Sequence, residues 1–297
     1  MTPERTLAVV VVNYNSAGLV SNLHRSLAAT RGTFRMYVVN NSPSEDLDAW
    51  LSSLPVARNV STVVVEPGRN LGFGAGCNEG IRCAQRDGHR YAWLLNPDAE
   101  VMELDFPQFW RDVDSARDAV LWATRVQAGD SVRDGVSHLS LWTGRVRPRP
   151  GPRTVSFANG NSVVVHIDRF TKIGGFASDY FLYFEEPDVS MRLNGRSTVV
   201  PVLTSAAIRH DGGGSTGSRR GSSRSATTAL HANRSAIIFF RRWLPWRLPI
   251  ALVARTGLTV LRLPRSPHLA IAGARGLLAG CRSTLSPRQS HDRQAVG

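Results

Sequence analysis

The sequence contains a single lysine, Lys172, among 36 basic residues; arginine supplies all the others. Cysteine is almost as scarce. Cys77, Cys83 and Cys281 are odd in number and show neither CxxC nor CxxH spacing, which argues against a disulfide frame or zinc site and for reduced thiols in a cytoplasmic protein. No stretch reaches the ~20 unbroken apolar residues that a membrane-spanning helix requires. The first residues pass straight into a strand-like run without the basic region and apolar core of a secretory signal, so none is expected. A P-loop of the form GxxxxGK[ST] is absent, and the glycine loop at 72–76 is spaced GxGxG rather than GxGxxG. Acidic residues nearly vanish late in the chain: residues 1–218 hold 22 basic and 22 acidic side chains, whereas 219–297 hold 14 arginines against Asp292 alone. The formal net charge of +13 therefore lies in the C-terminal quarter. A neutral body with a cationic tail suits an anionic surface as partner, lipid or nucleic acid.

What is present reads as alternating strands and helices. Residues 7–12 are a continuous apolar, β-branched run, as in a central strand covered on both faces. Leu19, Leu23 and Leu27 follow at helical spacing, then strands near 36–39 and 62–65 with a short helix at 47–54 between them. A helix at 77–86 leads to the apolar run beginning at Tyr91, a helix is expected over 105–117, and a strand over 119–126. Residues 127–152, rich in charge, glycine and proline, are expected to be a loop, and its basic, proline-broken part at 143–152 a surface excursion of the kind that shapes an acceptor site. Order resumes at 157–165, and further strands are expected near 197–202 and before His210. The fold class is thus α/β, with a doubly wound, mostly parallel sheet.

Four places carry chemistry. The buried run at 91–95 ends abruptly in Asn96-Pro97-Asp98, where a strand's carboxyl end delivers a carboxylate to the sheet rim. The same tripeptide reads equally as a turn signal. The glycine loop enters a helix N-terminus and suits a phosphate, although glycines are also needed simply for positive φ. Glu185 and Glu186 end an aromatic run; two adjacent carboxyls beside apolar rings resist full ionisation, so one could act as a base. Acidic side chains also favour a helix start on electrostatic grounds alone. His210 ends an apolar strand and can turn inward as a metal ligand, while most lone histidines are structural.

Together Val9 to Ser16, Asn40-Asn41-Ser42, Asn70 to Asn78, Leu95 to Asp98, Gly174-Gly175-Phe176, Phe184 to Asp188 and His210 resemble family 2 glycosyltransferases of the GT-A fold, above all rhamnosyltransferase-like members that build bacterial cell-surface polysaccharide. The resemblance implies that Tyr14 and Asn40 lie beside the nucleotide base. It sets Asn70, Gly72, Asn78 and Asn96 along the nucleotide sugar, and makes Asp98 and His210 ligands of a divalent cation, Mg²⁺ or Mn²⁺. Glu186 becomes the general base, with Glu185 as its rival and Asp188 in the same acidic motif. Three residues depart from the family pattern: Asn40 stands for an aspartate, Asn96 for the first acid of a DxD motif, and Glu186 for an aspartate.

A cation would neutralise the departing diphosphate, and inversion needs one base opposite the leaving group. The expected enzyme is an inverting, metal-dependent glycosyltransferase with a catalytic domain at 1–218. Its donor is a nucleotide sugar, dTDP-rhamnose by resemblance, and its acceptor a polyprenyl-diphosphate-linked saccharide or polysaccharide. A sugar nucleotidyltransferase would want a GxGTR-like loop where Asn13 to Ser16 stand. A rival from another class is a basic, non-catalytic binding module. Residues 219–297 are expected to form basic amphipathic helices whose Phe239, Phe240 and Trp243 meet an anionic membrane surface, peripheral on the inner face; helices packed on the catalytic domain are the alternative, and nucleic acid is not expected.

Overall fold

The computed structural model describes residues 5–116, 118–193, 200–210 and 224–286. The apolar runs form the centre of a 9-stranded sheet. β1 (Thr6–Asn13), β2 (Thr33–Asn40), β3 (Val60–Val65) and β4 (Tyr91–Leu95) are parallel neighbours in the order β3-β2-β1-β4. Parallel pairing requires crossovers, supplied by α1 (Ala17–Ala28), α2 (Leu47–Ser53) and α3 (Phe73–Arg86). Next to β4 stand β11 (Ser162–His166), β6 (Leu121–Ala128), β12 (Val202–Arg209) and β5 (Glu100–Leu104). This half is mixed: β11 is antiparallel to β4 and β6, β12 is parallel to β6, and β5 is antiparallel to β12.

Alternation along β1 builds two core layers. Leu7, Val9 and Val11 pack with Leu23 and Leu27 of α1 and Phe109 of α4 (Phe106–Ser115). Ala8 and Val10 face Ile81 of α3 and Phe170 of α5 (Ile167–Lys172). A strand buried on both faces needs no polar alternation, which is why these runs are continuously apolar.

Residues 127–152, expected as a loop, instead hold short strands. β7 (Ser131–Asp134) pairs with β6, while β8 (Val136–Ser140), β9 (Val146–Arg147) and β10 (Thr154–Ala158) make a second sheet. The strand expected near 197–202 falls largely outside the described residues.

The C-terminal helices also differ from expectation. α7 (Arg224–Trp243) presents Ile238, Phe239, Phe240 and Trp243 to a third core formed with Leu139, Phe157, Tyr180 and Phe184. Those rings are interior and unavailable to a membrane. The expected boundary between 218 and 219 lies outside the described residues, and α7 shares its core with the catalytic body. After α8 (Leu248–Val260) comes α9 (Pro267–Arg282), which the sequence reading missed. α9 lies against α7 so closely that a Cβ on Gly276 would meet Leu230 O at 2.1 Å and one on Gly280 would meet Ile237 Cβ at 2.7 Å.

Candidate active site

Strand register brings Asp98 to His210. β12 and β5 pair Arg209 with Glu100, and the His210 N–H donates to Gln127 O of β6 at 3.0 Å. Asp98 precedes Glu100 by two residues, so the two strand ends meet, with Asp98 Oδ1 3.2 Å from His210 Nε2. Asn96 Nδ2 lies 3.3 Å from the same ring nitrogen. The Ala99 N–H closes onto Asn96 O at 3.1 Å. Asn96-Pro97-Asp98 is therefore a turn as well as a carboxylate carrier, and the turn aims the carboxylate. A carboxylate oxygen and an imidazole nitrogen side by side form a donor set suited to Mg²⁺ or Mn²⁺. Among the described residues no group of three or more His, Cys, Asp or Glu side chains converges, so further ligands would come from elsewhere.

A cleft of ≈ 270 Å³ opens on the same rim, lined by Tyr14, Asn41, Asn70, Gly72, Phe73 and Asn96. The Tyr14 ring is 48% exposed there. Gly72 has φ 81°, and a Cβ at that position would meet Phe181 O at 2.2 Å, so only glycine fits. Its N–H donates to Asn70 Oδ1 at 2.9 Å. The helix then starts at Phe73, four residues earlier than expected, and its first N–H groups are occupied by protein: Phe73 donates to Phe181 O at 3.0 Å, and the Gly74 N–H faces the Glu185 carboxyl.

α6 (Glu185–Arg192) carries the adjacent carboxyls. Tyr183 and Phe184 immediately before it are left-handed, with φ 69° and 73°, a conformation that costs non-glycine residues about 1–3 kcal/mol each. α7 holds this turn in place: Ser235 Oγ donates to Leu182 O at 2.8 Å, the Tyr183 and Thr228 hydroxyls lie 3.1 Å apart, and Phe184 packs on Phe239. The turn sends the two glutamates apart. Glu185 is fully buried and makes no hydrogen bond of ordinary geometry. Burial first, then the charge of Glu186, pushes its carboxyl well above the usual range, with its own and Gly74's N–H groups offsetting this only in part. Glu186 faces a separate cavity of ≈ 560 Å³. Burial raises its carboxyl from 4.5 to about 7, against the pull of its own N–H and that of Gly160.

The cleft and this cavity adjoin. The Asn96 N–H donates to Asn161 O at 3.1 Å, and Asn161 lines the Glu186 cavity. Phe73 lines the cleft and also abuts Gly160, where a Cβ would lie 3.1 Å from its ring.

A model of the family described as Glycosyl transferase family 2 matches residues 8–173, more than half of the chain. The chain belongs to this family. It is a glycosyltransferase. Two curated relatives, from the CDC 1551 / Oshkosh and ATCC 25618 / H37Rv strains of Mycobacterium tuberculosis, are N-acetylglucosaminyl-diphospho-decaprenol L-rhamnosyltransferases; each is 26% identical over 294 residues, covering 86% of this chain and 91% of its own. Crystal structures of S. aureus TarS 1-349, alone and in complex with UDP, superpose with TM-scores of 0.51 and 0.50 at 13% and 14% identity, covering 93% of this chain and 91% of theirs. At that identity the likeness is one of fold, and the fold is the mixed α/β GT-A type with a helical C-terminal region.

Within this family 2 glycosyltransferase, three residues expected in the site point elsewhere. Asn40 is buried, with its amide bonded to Glu66 Oε1 and Glu45 O and its oxygen to the Ser42 N–H. Its neighbour Asn41 lines the cleft instead. Asn78 spends both amide groups on the Phe176 backbone, at 2.8 and 2.9 Å, and takes no part in the cleft. Asp188 is buried and accepts from Tyr180 at 3.1 Å, Arg192 Nε at 3.0 Å and Trp243 Nε1 at 2.8 Å. With its oxygens so engaged it braces α6 against α7 and lines neither the cleft nor the Glu186 cavity. Conversely, Gly160, Asn161 and Phe73 escaped the sequence reading; the Asn159-Gly160-Asn161 turn between two strands was the available signal.

Proposed function

We propose that this glycosyltransferase is metal-dependent and inverting, and moves a sugar from a nucleotide sugar, dTDP-rhamnose first among candidates, to a polyprenyl-diphosphate-linked saccharide. One observation carries this: a cation-suited Asp98–His210 pair on the rim of one cleft adjoins a cavity that holds a single near-neutral carboxyl, Glu186.

In this reading the nucleotide lies in the cleft with its base against the exposed Tyr14 ring, and Asn41 and Asn70 supply polar contacts to it. Asp98 and His210 would hold the divalent cation, whose charge stabilises the departing diphosphate. Glu186 works from the other side. Its carboxylate accepts the proton of the acceptor hydroxyl as that oxygen attacks the anomeric carbon, and the opposite approach inverts the centre. A base poised near 7 is half ionised at neutral pH and still basic enough to help, which is worth about 10²- to 10⁴-fold. Glu185, buried and outside the cavity that Glu186 lines, stays out of the proton transfer. The rhamnosyl and prenyl-diphosphate specificity is suggested by the curated relatives' names.

A peripheral membrane position belongs to the same reading. Among the described residues no helix is long and apolar enough to cross a membrane. The outer side of α8, the turn after it and α9 nonetheless expose Ile250, Val253, Leu261, Leu263, Ile271 and Leu278, interspersed with arginines. Rings and aliphatic chains beside guanidinium groups suit the headgroup boundary of an anionic bilayer.

The test is a panel of dTDP-, UDP- and GDP-sugars with Mg²⁺ or Mn²⁺ and a prenyl-diphosphate-linked N-acetylglucosamine, read by mass spectrometry of the lipid product. Metal-dependent transfer with inverted stereochemistry is expected. Absence of both transfer and donor binding across the panel would favour a non-catalytic basic module.

A further inference from the structure

The cavity that receives Glu186 has a second charged wall. Arg145, in the turn between β8 and β9, Arg255 on α8 and Arg262 just beyond it all line this space. Among the described residues none of the three is ion-paired. Arg255 is held rigidly by neutral oxygens: it donates to Gly144 O at 2.6 Å, Ala232 O at 3.1 Å and Asn233 Oδ1 at 3.2 Å, with Nε left unpartnered. Its guanidinium also stands over the Phe184 ring at 5.4 Å, next to the turn that aims Glu186. Three like charges in one concave space repel each other and cost stability unless an anion joins them. Burial and the charges of Arg262 and Arg145 depress Arg255 to about 10, in keeping with that crowding.

We propose that Arg145, Arg255 and Arg262 form a subsite for the diphosphate of a lipid-linked acceptor, in the same cavity that Glu186 lines. Guanidinium forks match phosphate oxygens in pairs and strengthen when partly desolvated. An acceptor filling this cavity would set its phosphate against the arginines and its nucleophilic oxygen against Glu186, as a sugar bridging the two would. Leu258, between the arginines on α8, also lines the cavity, and the exposed apolar residues Val253 and Leu261 lie on the same helix and its end. A prenyl chain leaving the diphosphate would meet Leu258 within the cavity itself. This inference rests on the assignment of Glu186 as the base in the proposed function.

The experiment uses the full chain without divalent cation, and measures binding of farnesyl diphosphate, farnesol, UDP and phosphatidylglycerol vesicles by calorimetry. The variant is Arg145→Ala/Arg262→Ala, both exposed positions, beside Arg145→Lys/Arg262→Lys. We expect the alanine pair to weaken farnesyl diphosphate by about 10-fold or more and the lysine pair to recover most of it, with farnesol and UDP unchanged. Unchanged farnesyl diphosphate affinity in the alanine pair overturns the subsite. So does an equal loss on the vesicles, which would make the arginines a general headgroup contact, or a loss in Asp98→Asn instead, which would move the anion to the donor cleft. Diphosphate binding through these arginines with transfer unchanged in Glu186→Gln would sink the assignment of the base and leave the subsite standing; transfer lost in Glu186→Gln but indifferent to the arginines would do the reverse.

Discussion

Glu186 occupies the space that a side chain at position 160 would need: a Cβ built on Gly160 would lie 2.0 Å from Glu186 Oε1. The Gly160 N–H also steadies the ionised carboxylate. One glycine therefore fixes both where the proposed base sits and how readily it ionises. Gly160→Ala should displace the far end of a flexible side chain and leave the core untouched. Turnover is expected to fall by about 10²-fold, because an ångström of misplacement is enough for that, with the melting temperature nearly constant. A strong loss of stability with turnover per folded molecule intact would remove Gly160 from this role.

The two glutamates should separate in kinetics. Glu186→Gln keeps the shape but cannot accept a proton, so kcat should drop by about 10²-fold or more with donor affinity held. Glu185→Gln changes a buried group that does not line the Glu186 cavity, and is expected to cost far less. If the losses come out the other way round, the base is Glu185.

The pH dependence follows from the same pair, with a definite sign. Glu186 must be ionised to act, and its folded value of about 7 sets an acid limb there: kcat should climb between pH 6 and 8 and level off. Stability runs opposite. The carboxyl titrates near 4.5 when unfolded and near 7 when folded, so its contribution is fully present below 4.5 and is lost as pH rises through 7. The melting temperature of Glu186→Gln should fall less than that of the native chain over this window. Parallel melting curves would show that Glu186 keeps an ordinary value.

Asp98→Asn and His210→Ala each remove one of two neighbouring donor atoms. Either change should raise the Mg²⁺ or Mn²⁺ concentration needed for half-maximal activity by at least about 10-fold, with circular dichroism unchanged. Identical metal titrations in both variants would exclude the pair from the cation's coordination.

How much of this was legible in sequence depended on what each signal measures. The runs ending at Asn13, Asn40 and Leu95 gave the central strands, because burial on both faces leaves an unmistakable apolar stretch. β7 and β9 were invisible: the first is exposed throughout and the second is two residues long, so neither carries an alternation. Residue identity singled out Asp98, His210 and Glu186 as candidates, yet could not reveal that Asn40, Asn78 and Asp188 have their polar atoms committed to the protein itself. Phe239, Phe240 and Trp243 next to arginines look the same whether they meet lipid or a core, and only the third core decides between them. α9 carries glycines of low helix propensity, and these same glycines are what lets it approach α7.

That relocation leaves the membrane question to α8 and its end. Val253 is 74% exposed and Leu261 70%, and neither lines the Glu186 cavity. Val253→Asp/Leu261→Asp puts two carboxylates where aliphatic chains would enter the headgroup layer, removing apolar burial and adding repulsion from anionic lipid. Partitioning onto phosphatidylglycerol vesicles is expected to weaken by about 10-fold or more, since each such side chain contributes roughly 1.5–3 kcal/mol when buried. Transfer to a short, water-soluble acceptor should be unaffected, because the cleft and base are distant in the chain and unaltered. Sedimentation with vesicles decides the matter: native-like partitioning of the double variant would mean that this face of α8 does not meet the bilayer.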